Sequence, residues 1–264
     1  MSRIIAVTNQ KGGVGKTTTS VNLSASMAAT KRRVLLVDMD PQGNATMGCG
    51  VNKNGLEASS FDVIMGDVDA KDAIIRLEDG GFDILPGNGD LTAAEVELME
   101  GEGRDTKLRN ALHTVRDNYD YILIDCPPSL NMLTINALAA ADGVMIPMQC
   151  EYYALEGLTA LLDTIDKIRQ AVNPELQIDG LLRTMFDPRN NLATQVSAQL
   201  IVHFDDKVYR TIIPRNVRLA EAPSHGMPVI QYDRTSRGAL SYIALAGEIL
   251  RREAKKASEM ATPA

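Results

Sequence analysis

The chain has 264 residues, of which 45% are hydrophobic, and its formal net charge is -7 at pH 7. This length and apolar content suit one large α/β domain, close to the size at which a single hydrophobic core stops growing. Three cysteines without a CxxC pair and the lack of an apolar run of about 20 residues exclude a disulfide framework, a zinc cluster and a membrane span, so we expect a soluble protein of the cytoplasm.

A glycine-rich turn lies between the first two predicted elements. Residues 4–7 form an apolar run typical of a buried strand, and the apolar spacing over residues 17–29 predicts a helix. Glycines in such a turn let the backbone direct several N–H groups at a phosphate, and the helix N-terminus adds partial positive charge. The turn and the first helical residues are Lys11, Gly12, Gly13, Val14, Gly15, Lys16, Thr17 and Thr18. The order of strand, turn and helix predicts a phosphate-binding loop for a nucleoside triphosphate.

The polar side chains of this loop have different expected roles. Lys16 should reach the β- and γ-phosphates, and the hydroxyl of Thr17 should ligate Mg²⁺. The common form of the motif has a glycine where this chain has Gln10, and it does not require Lys11. On the residues alone, Lys11 is either an additional phosphate contact or an exposed, solvated lysine.

Apolar, β-rich runs alternate with helical patterns along the rest of the chain. Further strands are predicted at residues 33–37, 82–85, 121–124, 144–146 and 178–183. Helices are predicted at residues 91–100, 106–118, 130–140, 154–172, 191–203 and 236–256, with a turn at residues 101–103. Because the strands are continuously apolar, we predict an α/β fold in which a mostly parallel twisted sheet carries helices on both faces. Residues 1–256 would form one domain, and residues 257–264 a frayed tail.

Aspartates follow two of the predicted strands. Asp38 and Asp40 come after the strand at residues 33–37, and Asp125 follows the strand at residues 121–124. An unpaired carboxylate is costly inside a buried strand, so these groups should lie at the sheet edge, near a cation or hydrogen-bond donors. Asp125 has the placement of a Walker B aspartate, which holds Mg²⁺ through water, and either Asp38 or Asp40 would orient the attacking water. The alternative is that Asp38 and Asp40 only build a turn and that Asp125 is only a turn or helix-capping residue.

Charge is distributed unevenly along the chain. Residues 1–182 contain 15 Lys and Arg against 26 Asp and Glu, whereas residues 183–256 contain 12 against 7. The local field rather than the total charge governs contact with phosphates, so this asymmetry permits a basic surface for DNA without requiring one. An aromatic content of 4% with no Trp favours contact with a duplex backbone over stacking on single strands.

Several stretches together resemble the ParA/Soj partition ATPases, which belong with MinD to the deviant Walker A group of P-loop proteins. The stretches are residues 11–18, 38–44, 125–129 and 149–157, together with residues 214–216 and 221–226. The resemblance covers residues 4–250 and is to the short forms, which lack an N-terminal helix-turn-helix. It implies a P-loop ATPase with ATP and Mg²⁺ as cofactors, and slow hydrolysis to ADP and phosphate until a partner stimulates it.

The resemblance also implies roles for individual residues. Lys11 would cross a nucleotide-sandwich dimer to touch the partner's phosphates. Asp40 would orient water, Asp38 would lie near the Mg²⁺ shell, and Asp125 would be the Walker B residue. Glu151 is similar in position to a ribose or cross-dimer contact. The adenine-facing segment would be Pro214, Arg215 and Asn216.

The same resemblance implies three partners. ATP-bound family members form homodimers, bind double-stranded DNA without sequence preference, and release it after hydrolysis stimulated by a ParB-like centromere-binding protein. A cytoplasmic member is therefore associated with the nucleoid while ATP is bound. The candidate DNA contacts in this chain are Arg189, Arg215, Arg218, Arg234 and Arg237.

Two alternatives follow from related P-loop proteins. A MinD-like membrane-cycling ATPase needs a C-terminal amphipathic helix that enters a bilayer, and residues 241–256 are amphipathic but are followed by no Phe, Trp or Leu. We interpret that helix as core packing and expect no membrane partner. A metabolic P-loop enzyme, such as a reductase iron protein or a cobyrinate-type ligase, is a different class; the former needs bridging cysteines that this chain lacks.

Overall fold

Seven strands form one sheet in the computed structural model, which describes residues 2–78, 81–152 and 154–261. The strands are β1 (Arg3–Val7), β2 (Val34–Asp38), β3 (Ile75–Leu77), β4 (Phe82–Leu85), β5 (Tyr121–Asp125), β6 (Gly143–Met148) and β7 (Gln177–Arg183). Their order across the sheet is β3-β4-β2-β5-β1-β6-β7. Every neighbouring pair is parallel except β3 and β4, which are antiparallel. The predicted mostly parallel sheet is confirmed.

Helices connect these strands and cover both faces of the sheet. They are α1 (Lys16–Ala28), α2 (Asn44–Gly48), α3 (Ser60–Met65), α4 (Ala70–Ala73), α5 (Leu91–Glu97), α6 (Lys107–His113), α7 (Met132–Ala140), α8 (Ala154–Ala171), α9 (Asn191–Phe204), α10 (Val217–Glu221), α11 (Val229–Tyr232) and α12 (Arg237–Ala261). Short 3-10 helices lie at Arg116–Asn118, Asp205–Lys207 and Ala222–His225.

The predicted elements are present, with differences at their ends. The helix predicted over residues 106–118 ends at His113 and resumes only as a 3-10 turn. The last helix continues to Ala261 instead of stopping at residue 256, so the first part of the predicted tail is helical. Residues 262–264 of that tail, and Tyr153 of the 149–157 motif, lie outside the described residues. The turn at residues 101–103 is present, with left-handed backbone at Gly101 and Gly103.

Alternate residues of each central strand enter two separate cores, one on each face of the sheet. In β1, Ile4 and Ala6 pack into one core, whereas Ile5 and Val7 pack into the other. This alternation follows from the pleat of a strand, which points successive side chains to opposite faces. Continuous apolar runs are therefore what a sheet covered on both faces requires.

The strand order brings the carboxyl ends of β1, β2 and β5 together at one edge of the sheet. β5 lies between β2 and β1, and its register pairs Asp125 with both Asp38 and Val7. The loop after β1 is the glycine-rich turn, so the carboxylates and the turn converge on one site. This is the edge at which parallel α/β sheets bind their ligands.

Candidate nucleotide site and its surroundings

The glycine-rich turn has the backbone of a phosphate-binding loop. Gly13 has φ 72° and Gly15 has φ 89°, both in the left-handed region that favours glycine. Gly15 is the N-cap of α1 and provides no side chain to accept hydrogen bonds from the first N–H groups of this helix. The first N–H groups of α1 are therefore available to an anion.

Lys16 lies inside this loop with its charge poorly hydrated. The residue is only 7% exposed, and its Nζ donates a hydrogen bond to the carbonyl of Lys11 at 3.2 Å. Burial lowers the pKa of Lys16, while the nearby charges of Asp125 and Asp40 oppose that shift. A buried cation that has given up water gains most from an anionic ligand, and a triphosphate supplies one.

Asp125 is fully buried at the end of β5, and only one of its oxygens is paired. Oδ1 accepts a hydrogen bond from the hydroxyl of Ser20 at 2.8 Å. Oδ2 makes no hydrogen bond to any of the described residues. Burial raises the pKa of Asp125, and the charge of Asp38 adds to the effect, whereas the nearby hydroxyls of Thr17 and Ser20 oppose it. Such a carboxylate requires either a proton or a cation next to it.

The residues at this edge fit a magnesium ion. The unpaired oxygen of Asp125 and the hydroxyl of Thr17 at the start of α1 are the hard oxygen donors that Mg²⁺ prefers. Among the described residues, no group of three or more His, Cys, Asp or Glu is arranged to hold a metal. Mg²⁺ in nucleotide sites is held by few side chains because water and phosphate oxygens complete its shell, so this finding is compatible with the site.

Asp38 and Asp40 are placed differently from each other. Asp38 is fully buried; its Oδ2 accepts from the backbone N–H and hydroxyl of Thr46, at 2.8 and 2.7 Å, and its Oδ1 accepts from the N–H of Asp40 at 3.2 Å. Asp40 accepts a hydrogen bond from the N–H of Gln42 at 2.9 Å. Asp38 is therefore committed to shaping the loop after β2, whereas Asp40 retains more capacity to bind water.

Lys11 is paired within the chain. Its Nζ lies 2.5 Å from Oε2 of Glu151, which follows β6, and about half of each side chain is exposed. The N–H of Lys11 donates to Oδ1 of Asn9 at 3.0 Å, and the Asn9 amide in turn donates to the carbonyl of Pro147 at 2.8 Å. The loop thus presents Lys11 outward, beside Glu151, rather than inward beside Lys16.

The segment predicted to face adenine lies beside β7. Pro214 forms an isolated parallel bridge with Phe186, and the N–H of Phe186 donates to the carbonyl of Ile213 at 3.1 Å. Asn216 caps α10 by accepting a hydrogen bond from the N–H of Leu219. Arg215 is exposed between them. The structure thus gives this segment a defined backbone next to the chain that leaves β7.

The candidate DNA-contacting arginines fall into two groups. Arg189 and Arg215 lie near Asp187. They lower the pKa of Asp187 to about 2, mainly through the hydrogen bond from Arg189, with a smaller contribution from the charge of Arg215. The Arg189 side chain is 88% exposed. Arg218 pairs with Glu221 at 2.8 Å and with Asp233 at 3.3 Å. The remaining two arginines, Arg234 and Arg237, are exposed and close to Asp233 in the chain.

The apolar face of α12 is covered by the rest of the protein. Tyr242, Leu245, Ala246 and Ile249 are buried in the core that also contains β1, and the Tyr242 hydroxyl lies 3.1 Å from the hydroxyl of Thr19. This agrees with core packing as the role predicted for the helix. Within the described residues, no helix combines the length and apolar character needed to cross a bilayer.

Two residues with clear roles in the site were missed by the sequence analysis. Ser20 holds Asp125, and Thr46 holds Asp38. Ser20 lies four residues after Lys16 on α1 and so faces the same side of the helix, which is a signal that was available. Thr46 has no comparable signal, because its contact depends on how the chain returns to the end of β2.

Comparisons with known proteins agree with this geometry. A family model described as an AAA domain matches residues 2–178. The sporulation initiation inhibitor protein Soj of Bacillus subtilis is 55% identical over 94% of this chain and 98% of its own length. The chromosome partitioning protein ParA of Caulobacter vibrioides is 48% identical over 98% of both proteins. Among solved structures, cobyrinic acid a,c-diamide synthase from Mycobacterium smegmatis with bound ADP and magnesium superposes with a TM-score of 0.83, at 38% identity over 95% of each chain.

Proposed function

Because the chain belongs to the ParA/Soj family of partition ATPases, we propose that its ATP-bound form is a dimer that holds DNA and lets it go after hydrolysis. As a P-loop ATPase of this family, the protein uses ATP and Mg²⁺.

Hydrolysis at this site depends on charge neutralisation and on alignment of water. The N–H groups of the loop and the Lys16 ammonium would neutralise the phosphates. Thr17 and Asp125 would hold Mg²⁺, which supplies further positive charge to the phosphate oxygens. Asp40, the less committed of the two aspartates after β2, would orient the attacking water. These roles are supported by the burial of Lys16, the unpaired oxygen of Asp125 and the free capacity of Asp40.

The outward position of Lys11 carries the proposal of a dimer. A lysine that contacted the phosphates of its own chain would point inward beside Lys16, but Lys11 points outward and pairs with the half-exposed Glu151. Two triphosphates that face each other repel strongly, and a lysine contributed by each chain to the other's phosphates would offset that repulsion. Lys11 is thus available to a second copy once it leaves Glu151.

Lys11→Ala should separate nucleotide binding from dimerisation. We expect ADP affinity to change less than about threefold, because Lys16 and the loop backbone remain, while the ATP-dependent dimer is lost. Lys71→Ala is the matched control, since it removes another exposed, ion-paired lysine, on α4 and outside the loop, and it should still dimerise. Light scattering of each variant with a non-hydrolysable ATP analogue gives the answer. A dimer of Lys11→Ala in parental yield would refute a role for this lysine across the interface.

The proposed DNA surface is built from the arginines that follow β7. Backbone recognition without sequence preference needs charge and reach rather than contacts to base edges. Arg189 offers both, because it is the more exposed partner in its ion pair and lies beside Arg215. Arg218 is held by two carboxylates and would have to exchange them for phosphates.

Arg189→Glu tests this surface. The variant should bind random-sequence duplex more weakly, and the slope of log affinity against log salt should fall by about 1, because one phosphate contact is lost. Arg33→Glu is the control. Arg33 is also exposed and ion-paired, but it lies at the amino end of β2, whereas Arg189 follows the carboxyl end of β7. Gel shifts with ATP, with ADP and without nucleotide, at two salt concentrations, measure both quantities. An unchanged slope for Arg189→Glu would remove this arginine from the DNA surface.

The third part of the proposal is a ParB-like centromere-binding partner that stimulates hydrolysis. Without it the ATPase would be slow, and with it the dimer would open and leave DNA. In the cell, the protein would be cytoplasmic and associated with the nucleoid while ATP is bound. The support is the similarity to chromosome partitioning proteins over nearly the whole chain.

A metabolic amide-forming ATPase is the competing function that the structural superposition raises. That diamide synthase is 38% identical to this chain, against 55% for Soj of Bacillus subtilis and 48% for ParA of Caulobacter vibrioides. The fold is common to both classes, so it does not decide between them. ATP-dependent binding of random duplex DNA would favour partition, and its absence together with ATP turnover would favour the metabolic class.

A further inference from the structure

Thr184 makes a hydrogen bond to the backbone of the phosphate-binding loop. It follows β7 directly, is only 2% exposed, and donates a hydrogen bond from its hydroxyl to the carbonyl of Val14 at 2.7 Å. Val14 lies between Gly13 and Gly15 in the loop, 170 residues earlier in the chain. No other hydrogen bond to this carbonyl is formed within the described residues. The hydroxyl of Thr184 is therefore its partner.

The position of Thr184 is itself well defined. Its N–H donates to the carbonyl of Met148 at 2.8 Å, which ties it to the end of β6. The next residue, Met185, has φ 47°, an unusual left-handed conformation for a side chain of this size. This turn lets the chain leave the sheet at once, so that Phe186 donates to Ile213 while Thr184 still faces the loop. The surrounding backbone thus holds the Thr184 hydroxyl in place.

The consequence for the loop follows from peptide geometry. In a trans peptide the carbonyl and the following N–H point in opposite directions, and cis peptides are absent from the described residues. When Thr184 holds the carbonyl of Val14, the N–H of Gly15 points away from Thr184, toward the space enclosed by the loop. Within the described residues, this N–H has no acceptor. A phosphate oxygen is the acceptor that the loop would supply.

We propose that Thr184 is a positioning residue of the ATPase, which fixes the Val14–Gly15 peptide so that its N–H faces the nucleotide. Glycine on both sides of Val14 gives this peptide unusual freedom to rotate, and the hydroxyl removes that freedom before the nucleotide arrives. Without the hydroxyl, the Val14 carbonyl is left buried and unpaired, which favours a rotated peptide that cannot bind phosphate. This inference concerns nucleotide binding and does not depend on the proposed dimer or on DNA.

Thr184→Val is the direct test, because valine keeps the shape of the side chain and removes the donor. We expect the affinity for Mg²⁺ and ADP, measured with a fluorescent ADP analogue, to fall about tenfold, since only a fraction of the molecules then presents a competent loop. KM for ATP should rise by a similar factor, while kcat changes little because bound phosphate itself restores the loop. A residue that mattered only for folding would lower the amount of active protein and the unfolding temperature without raising KM.

Two further variants make the outcome decisive. Thr184→Ser keeps the hydroxyl and should bind ADP within about twofold of the parent. Thr159→Val removes a similar hydrogen bond, from Thr159 to the carbonyl of Leu155, on the exposed face of α8 and should have no effect. Parental affinity in Thr184→Val, or an equal loss in Thr184→Ser, would overturn the proposal.

Discussion

Lys16→Ala should abolish nucleotide binding, which makes it the largest single-residue effect that we expect. Lys16 is buried in the loop, and burial disfavours its charged form. A bound phosphate would stabilise that charge. Removing one member of a buried charge pair costs about 2–5 kcal/mol of binding free energy, so ADP affinity should fall by a factor between about 30 and several thousand. Titration with a fluorescent ADP analogue measures this loss directly.

The loss should not come from unfolding. Burial lowers the pKa of Lys16, which means that its charged form is disfavoured in the folded protein, so removing the charge should not lower the free energy of unfolding by much. The unfolding temperature without nucleotide should therefore stay close to that of the parent. Lys71→Ala, at an exposed lysine on α4, is the control for loss of one positive charge. Retention of ADP affinity in Lys16→Ala would mean that the nucleotide does not lie in this loop.

Asp40→Ala should stop hydrolysis while leaving ATP binding intact. Misplacing a reacting group by about 1 Å costs about 10²-fold in rate, so partner-stimulated turnover should fall by about 10²-fold when the water is no longer oriented. Under the proposed cycle, the ATP-bound dimer would then accumulate and remain on DNA. Phosphate release and retention on random duplex are the two measurements.

Asp40→Asn and Asp38→Asn separate the two aspartates. The side chain of Asp40→Asn can still accept the hydrogen bond from the N–H of Gln42, so this variant should bind ATP normally. It should hydrolyse ATP slowly, because a neutral amide orients the water less well than a carboxylate. Asp38→Asn should disturb the loop after β2, because Asp38 accepts hydrogen bonds from both Thr46 and Asp40, and it should weaken ATP binding as well as turnover. Parental hydrolysis by Asp40→Ala would mean that Asp40 is not the water-orienting residue.

Much of the fold follows from the sequence because its central strands are buried on both faces. Such strands read as continuous apolar runs, and β1, β2, β4, β5, β6 and β7 were each predicted within two residues at either end. The missing strand, β3, has only three residues, of which two are partly buried and Arg76 is exposed, and it is the outermost strand of the sheet. It has neither the length nor the apolar content that marks a strand in sequence.

The site was predictable where its residues share a local motif and not where distant segments meet. Lys16, Asp38 and Asp125 each follow or open a regular element, and that placement is visible in the chain. The hydroxyls of Thr46 and Thr184 donate hydrogen bonds to residues that come close only through the strand order and the paths of the loops. The spacing of residues in the sequence does not predict such contacts. The pairing of Lys11 with Glu151 is of the same kind, since 140 residues separate them.

The mass of the purified protein under different nucleotides tests the central claim most directly. Light scattering on the parental chain with Mg²⁺ and a non-hydrolysable ATP analogue should give twice the 28.6 kDa of one chain, and with ADP it should give the mass of one chain. That difference is what a switch driven by the terminal phosphate requires. The mass of a single chain under saturating analogue and Mg²⁺ would contradict the proposed dimer and the DNA cycle built on it.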